Sequence, residues 1–288
     1  MKYYEKFYKT YISNFIHDIF TIHKYKGRCL MDDESMLKRT KLFQENNKWQ
    51  SKHIVKRDFW LIPFYILFNQ VVPLIILAVI FGVFFLFNIK SEVVGNDYKI
   101  ISTIISEIII LLSFYLIHKN HRLLPIAIER FKKGQNYILV ILMTYIVSLV
   151  LITGYEWMTD FLPKSLQYGE TQNQMLLEEL FENNWMLPLL FIDIVILTSF
   201  IEELLFRHLI IHELGKKITY GFATVLSVIL FASVHVMGAT SPFEIGSYII
   251  IGASLAFVYL KSGMNLAVSI TLHSLNNFIS FITIVILK

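Results

Sequence analysis

Glu202, Glu203 and Arg207 lie in the middle of a long apolar run, Ser199-Phe-Ile-Glu-Glu-Leu-Leu-Phe-Arg207. In hydrocarbon a charged side chain costs roughly 2.5–3.5 kcal/mol on insertion scales, so such residues persist where they pair or do chemistry. On a helix Glu203 and Arg207 are four apart and share a face, which makes them a self-neutralising structural pair. Glu202 points about 140° away from Arg207, and its partner must come from another helix. Two later apolar runs supply candidates. Phe231-Ala-Ser-Val-His235 carries one histidine, and Thr271-Leu-His273-Ser-Leu-Asn-Asn277 puts His273 and Asn277 one turn apart on one face.

A carboxylate, two imidazoles and a carboxamide can hydrolyse an amide. A buried carboxylate such as Glu202 can serve as a base. Asn277 and His273 can supply N–H donors to a developing negative charge. The same residues leave a metal alternative open, with Glu202, His235 and His273 as three zinc ligands and water as the fourth. No HExxH is present, and metal-free chemistry is the preferred reading. Buried carboxylates and histidines also serve proton pathways, but transporters often show internal repeats and none is visible. Glu107 and Asp193 are assigned structural roles.

These groups need an all-α, membrane-spanning scaffold. The chain is 55% apolar and 15% aromatic, with mean hydropathy +0.57, beyond the usual soluble domain. Seven apolar stretches, near 60–87, 100–117, 137–153, 185–206, 220–237, 243–260 and 265–287, read as spans of about 20 residues, which predicts seven or eight crossings. Pro63 and Pro73 predict a kink or late start in the first. Glu202 and His235 each lie about 15 residues from the turn near Lys217, which brings them level in a helical hairpin. His273 and Asn277 fall at a similar depth from the turn at Gly263. Ser241-Pro242-Phe243-Glu244 reads as a capping box with proline at the first helical position.

Residues 1–57 form a separate segment ahead of the bundle at 58–288. Tyr3, Phe7, Tyr11, Phe15 and Ile19 recur at helical spacing, predicting an amphipathic helix on the membrane or against the bundle. No signal peptide is apparent. The lone Cys29 excludes an internal disulfide. Acids and bases are interleaved over 24–57, which argues against a nucleic-acid surface. Residues 1–57 hold thirteen Lys and Arg, and the 118–136 loop, the Lys216-Lys217 turn and Lys261 fall on the same side. That side is expected to be cytoplasmic, with the N-terminus there.

Glu202-Glu203-x-x-x-Arg207, Phe231-x-x-x-His235 and His273-x-x-x-Asn277, in that order on successive spans, resemble the CPBP family, the CAAX prenyl proteases and bacteriocin-processing enzymes also called the Abi family. Gly252 and Tyr259-Leu-Lys-Ser-Gly263 fit the same pattern, and the likeness covers about residues 190–282, within a catalytic core at 185–287. It implies a glutamate-dependent intramembrane peptidase. Glu202 would be the base, His235 its partner, and His273 with Asn277 the oxyanion site, supported by Glu203, Arg207 and Phe231. The substrate would be a peptide or membrane-anchored protein in the lipid bilayer, with no cofactor or, alternatively, zinc. In a bacterial membrane the roles implied are bacteriocin immunity and pheromone or leader processing. Some relatives suggest a non-catalytic regulator that binds a partner such as a sensor kinase.

Overall fold

The computed structural model describes residues 48–87 and 97–287. The amphipathic helix expected over residues 3–20, and Cys29, lie outside them. Among the described residues every regular element is helical. Helix α1 (Leu61–Leu86) follows a 3₁₀ turn at Lys56–Trp60 and continues through Pro73. It pairs with α2 (Asp97–Ile117). The basic stretch expected as a loop instead forms α3 (Leu123–Gly134), which passes through a 3₁₀ turn into α4 (Ile138–Thr159). The short α5 is Gln172–Glu178.

The next helix, α6, is a composite over 187–218. It starts as Leu187–Leu190, widens to π geometry at Phe191–Leu197, returns to α at Thr198–Glu203, widens again at Leu204–Leu214 and closes at Gly215–Ile218. Helices α7 (Tyr220–His235), α8 (Ile245–Lys261) and α9 (Leu266–Leu287) complete the bundle. The capping box forms at Ser241, with Pro242 at the first turn. The α8–α9 turn uses Gly263 at φ +68° and Met264 at φ 60°.

Five described helices are long and apolar enough to cross a membrane, 56–86, 97–117, 123–159, 242–261 and 266–287. Their outer faces are what lipid would wet: Leu74, Leu139, Val150 and Phe85 are largely exposed. In water they would form an uncovered apolar surface, whereas in a bilayer the helices satisfy their own backbone groups. The chain is an integral membrane protein. Two of the expected spans differ from ordinary crossings. Helix α7 has 16 residues, about 24 Å at 1.5 Å each, short of the roughly 30 Å hydrocarbon core. His235 is therefore the last residue of a helix rather than a group deep inside one. Helix α6, running over 187–218, is well beyond the roughly 20 residues that one crossing needs.

Side-chain bonds gather the helix ends into two groups. At the basic end, Arg57 Nη1 donates to Ile117 O, Lys216 Nζ to His53 O, Asn265 Nδ2 to Arg130 O, and Val55 N to Glu213 Oε2. At the opposite end, Tyr155 OH donates to Phe243 O, Gln172 N to Glu244 Oε2, and Asn183 Nδ2 to Asp97 Oδ1.

Candidate active site

Helices α6, α7 and α9 bring Glu202, His235 and His273 together. Glu202 Oε2 lies 3.7 Å from His235 Nε2 and 3.8 Å from His273 Nε2. Both separations exceed a direct hydrogen bond. That oxygen is buried and makes none within the protein.

Each imidazole is oriented through its other nitrogen. His235 Nδ1 is 2.8 Å from Phe231 O. A carbonyl only accepts, so Nδ1 carries a proton and the ring turns its Nε2 toward Glu202. The His235 ring lies between Phe231, at 4.4 Å between centroids, and Tyr248, stacked at 4.9 Å and 28°. The Tyr248 hydroxyl is fixed 2.9 Å from Thr171 Oγ1. Tyr248 was not singled out in the sequence. A tyrosine in an apolar helix carries no signal of that kind until α8 is packed on α7.

His273 Nδ1 sits 3.0 Å from Glu203 Oε1. The same oxygen is 3.1 Å from Arg207 Nη1, and both side chains of that ion pair are fully buried. The expected Glu203–Arg207 pair is thus present, and Glu203 has a second partner that spacing along one helix does not reveal. Arg207 also donates through Nη2 to Gly252 O at 3.1 Å. Its guanidinium carbon stands 4.8 Å above the Phe231 ring, an attractive cation–π geometry. Gly252 permits this approach of α8 to α7, since a Cβ there would come within 3.1 Å of Phe231 Cδ1.

Asn277 lies one turn beyond His273. Its Nδ2 donates to Ile194 O at 2.9 Å and to Ser199 Oγ at 3.3 Å. Ser227 Oγ likewise donates to Phe206 O at 2.7 Å. Both acceptor carbonyls belong to the π segments of α6. Wide turns weaken the i→i−4 ladder and free carbonyls that cannot stay unpaired in hydrocarbon. Side chains from α9 and α7 satisfy them, and the α-helical stretch holding Glu202 and Glu203 is fixed between the two.

Other polar groups lie elsewhere. Glu107 Oε1 accepts from Thr198 Oγ1 at 3.0 Å, and Asp193 faces Glu107. At the basic end the buried Asp58 accepts from Trp49 Nε1 at 2.7 Å and bonds His118 Nε2 at 2.8 Å and His208 Nε2 at 2.7 Å. His208, His212 and Glu213 place possible ligand atoms within 4.8 Å of one another. There the Lys216 ammonium, 2.6 Å from Glu213 Oε1, already supplies the positive charge. The Asp58 bonds to His118 and His208 join residues 60 and 150 positions apart, which no local spacing discloses.

Residues 184–279, a third of the chain, match the family model described as Rce1-like, type II CAAX prenyl endopeptidase. The match contains all three motifs and agrees with the CPBP resemblance. It points to a peptidase acting on a peptide or protein. No curated protein and no solved structure matches the chain.

Proposed function

We propose that this protein is a glutamate-dependent intramembrane endopeptidase. The observation that carries the reading is the convergence of Glu202 Oε2 with the Nε2 atoms of His235 and His273 from three helices, inside the stretch that matches a peptidase family. A water between Glu202 Oε2 and His235 Nε2 can donate one hydrogen to each. As its oxygen attacks the scissile carbonyl carbon, Glu202 takes a proton and the carbonyl oxygen becomes an oxyanion. With Nδ1–H kept on Glu203, His273 donates to that oxyanion through Nε2 when its ring carries both protons. Asn277 adds a donor by giving up its longer bond, to Ser199 Oγ. Collapse of the intermediate breaks the C–N bond, and the proton on Glu202 passes to the leaving amine.

One observation favours a second reading. A carboxylate on the far nitrogen of a histidine, as Glu203 is on His273, is also how metal-bound histidines are oriented. Glu202, His235 and His273 have the ligand types zinc takes and would be its ligands here, the metal supplying an acidified water and a polarised carbonyl. Loss of cleavage in chelator with recovery on zinc addition would establish that reading. Retained cleavage in chelator, by protein free of bound metal, supports the metal-free one.

The basic end is assigned to the cytoplasm, and the substrate to a peptide or membrane-anchored protein. In a bacterial membrane, bacteriocin immunity and pheromone or leader processing are the proposed roles. Peptides released by cells carrying the wild-type protein and Glu202→Gln, compared by mass spectrometry, test the activity. The variant should accumulate in membranes and release none of the specific products. Unchanged products would remove the mechanism.

A further inference from the structure

We propose that a cavity at the basic end of the bundle binds a bilayer lipid with an anionic headgroup, one acyl chain inside and the headgroup at Arg130. The cavity measures about 260 Å³ and lies among α2, α3, α6 and α9. None of Glu202, His235, His273 or Asn277 lines it, so the inference stands apart from the peptidase reading. Its wall is apolar over most of its extent, with Leu111, Ala127, Phe131, Phe200, Leu204 and Ile270 among the lining residues.

The ionisable side chains of the described lining are Arg130, His208, His212 and Tyr259, with no Asp or Glu among them. Two of the basic groups already have acid partners. His208 Nε2 is held by Asp58 Oδ2 at 2.7 Å, and His212 Nδ1 by Glu213 Oε1 at 2.9 Å. Arg130 differs. The neighbouring Glu129 pairs with Lys133 at 2.6 Å, and among the described residues no carboxylate is paired with Arg130. Its backbone carbonyl is pinned by Asn265, and its side chain shares the cavity wall with Tyr259. An uncompensated cation over an apolar cavity, at the end where Arg122, Lys132 and Lys133 also gather, has the chemistry of an anionic-lipid site between transmembrane helices. A neutral chain would fill the cavity but leave the arginine uncountered, which is why the headgroup is assigned a negative charge.

Native mass spectrometry of the full-length protein, released from mixed micelles holding equal phosphatidylglycerol and phosphatidylcholine, tests this directly. The wild-type protein should retain one phosphatidylglycerol with about fivefold preference, the scale of a single basic contact at the membrane surface. Arg130→Gln should bind lipid with the preference lost. Ala127→Phe, which fills the cavity, should lose the bound lipid, and Ala267→Leu is the second filling variant should the first fail to fold. Excess inorganic phosphate should leave the adduct in place, which separates a lipid from a free-phosphate site. Equal binding of the two lipids by the wild type, an unchanged preference in Arg130→Gln, full lipid retention in a folded cavity-filled variant, or displacement by phosphate would each overturn the proposal.

Discussion

His273 Nδ1 and Glu203 Oε1 lie 3.0 Å apart, and the same carboxylate oxygen is 3.1 Å from Arg207 Nη1. One oxygen therefore serves a buried cation on its own helix and a candidate catalytic imidazole on α9. Helical spacing accounts for the first contact and gives Glu203 a structural role. The second makes it a positioning residue for His273.

Glu203→Gln is expected to lower both stability and turnover. Breaking a buried ion pair from one side costs about 3–5 kcal/mol, read as a drop in thermal midpoint in detergent. The double variant Glu203→Gln/Arg207→Met separates the two roles. Removing both charges should recover much of the stability, as apolar replacement of buried pairs often does, while cleavage stays depressed because His273 still lacks its carboxylate. Recovery of cleavage along with stability would return Glu203 to a purely structural role.

Tyr248 holds His235 by a 4.9 Å ring stack and is itself held by Thr171. Tyr248→Phe keeps the stack and should retain most of the cleavage rate. Tyr248→Leu removes it and should lower the rate about tenfold or more, the order of loss when a reacting group is misplaced by a fraction of an ångström. Single-turnover rates on a peptide substrate distinguish the two variants, and equal rates would show that the stack does not matter.

Gly252→Ala places a methyl group 3.1 Å from Phe231 Cδ1. Overpacking of this kind costs typically about 1–3 kcal/mol. Phe231 lies under Arg207 and against His235, so turnover should fall with stability. Phe231→Leu in the same background should relieve part of the stability loss, measured as a rise in thermal midpoint.

The helical bundle and the site were legible in different ways. Glu202 and His235 can each be counted from the turn that joins α6 to α7, which places them level, and the Ser241 capping box and the Gly263 turn are local chemistry. Hydropathy does not report where a backbone stops or widens. The apolar run continues past His235, yet α7 ends there, and the basic stretch 123–134 forms a helix whose apolar residues divide between a half-buried side, Leu123, Ile126 and Ala127, and an exposed one, Leu124 and Ile128. The π segments of α6 depend on Asn277 and Ser227 reaching their carbonyls from other helices. Asp58, His118 and His208 meet only once three elements are packed, so their pairing cannot be read from spacing.

Glu213 supplies a pH-dependent test of how the segment before α1 is held. Its fully buried side chain accepts from Val55 N at 2.7 Å and Lys216 Nζ at 2.6 Å, and meets His212 Nδ1 at 2.9 Å. Burial acts to raise this carboxyl, but the bonds from His212, Lys216 and the Val55 N–H outweigh it and hold it below its ordinary value of 4.5. The stability it contributes is therefore fully present above that value and lost as pH falls through the depressed one. Glu213→Gln should loosen the Val55 region already at neutral pH, seen as faster proteolysis around residues 51–57, and should flatten the acid limb of the stability curve. Equal proteolysis of wild type and variant at pH 7, with the same acid limb, would show that this carboxylate does not hold the segment.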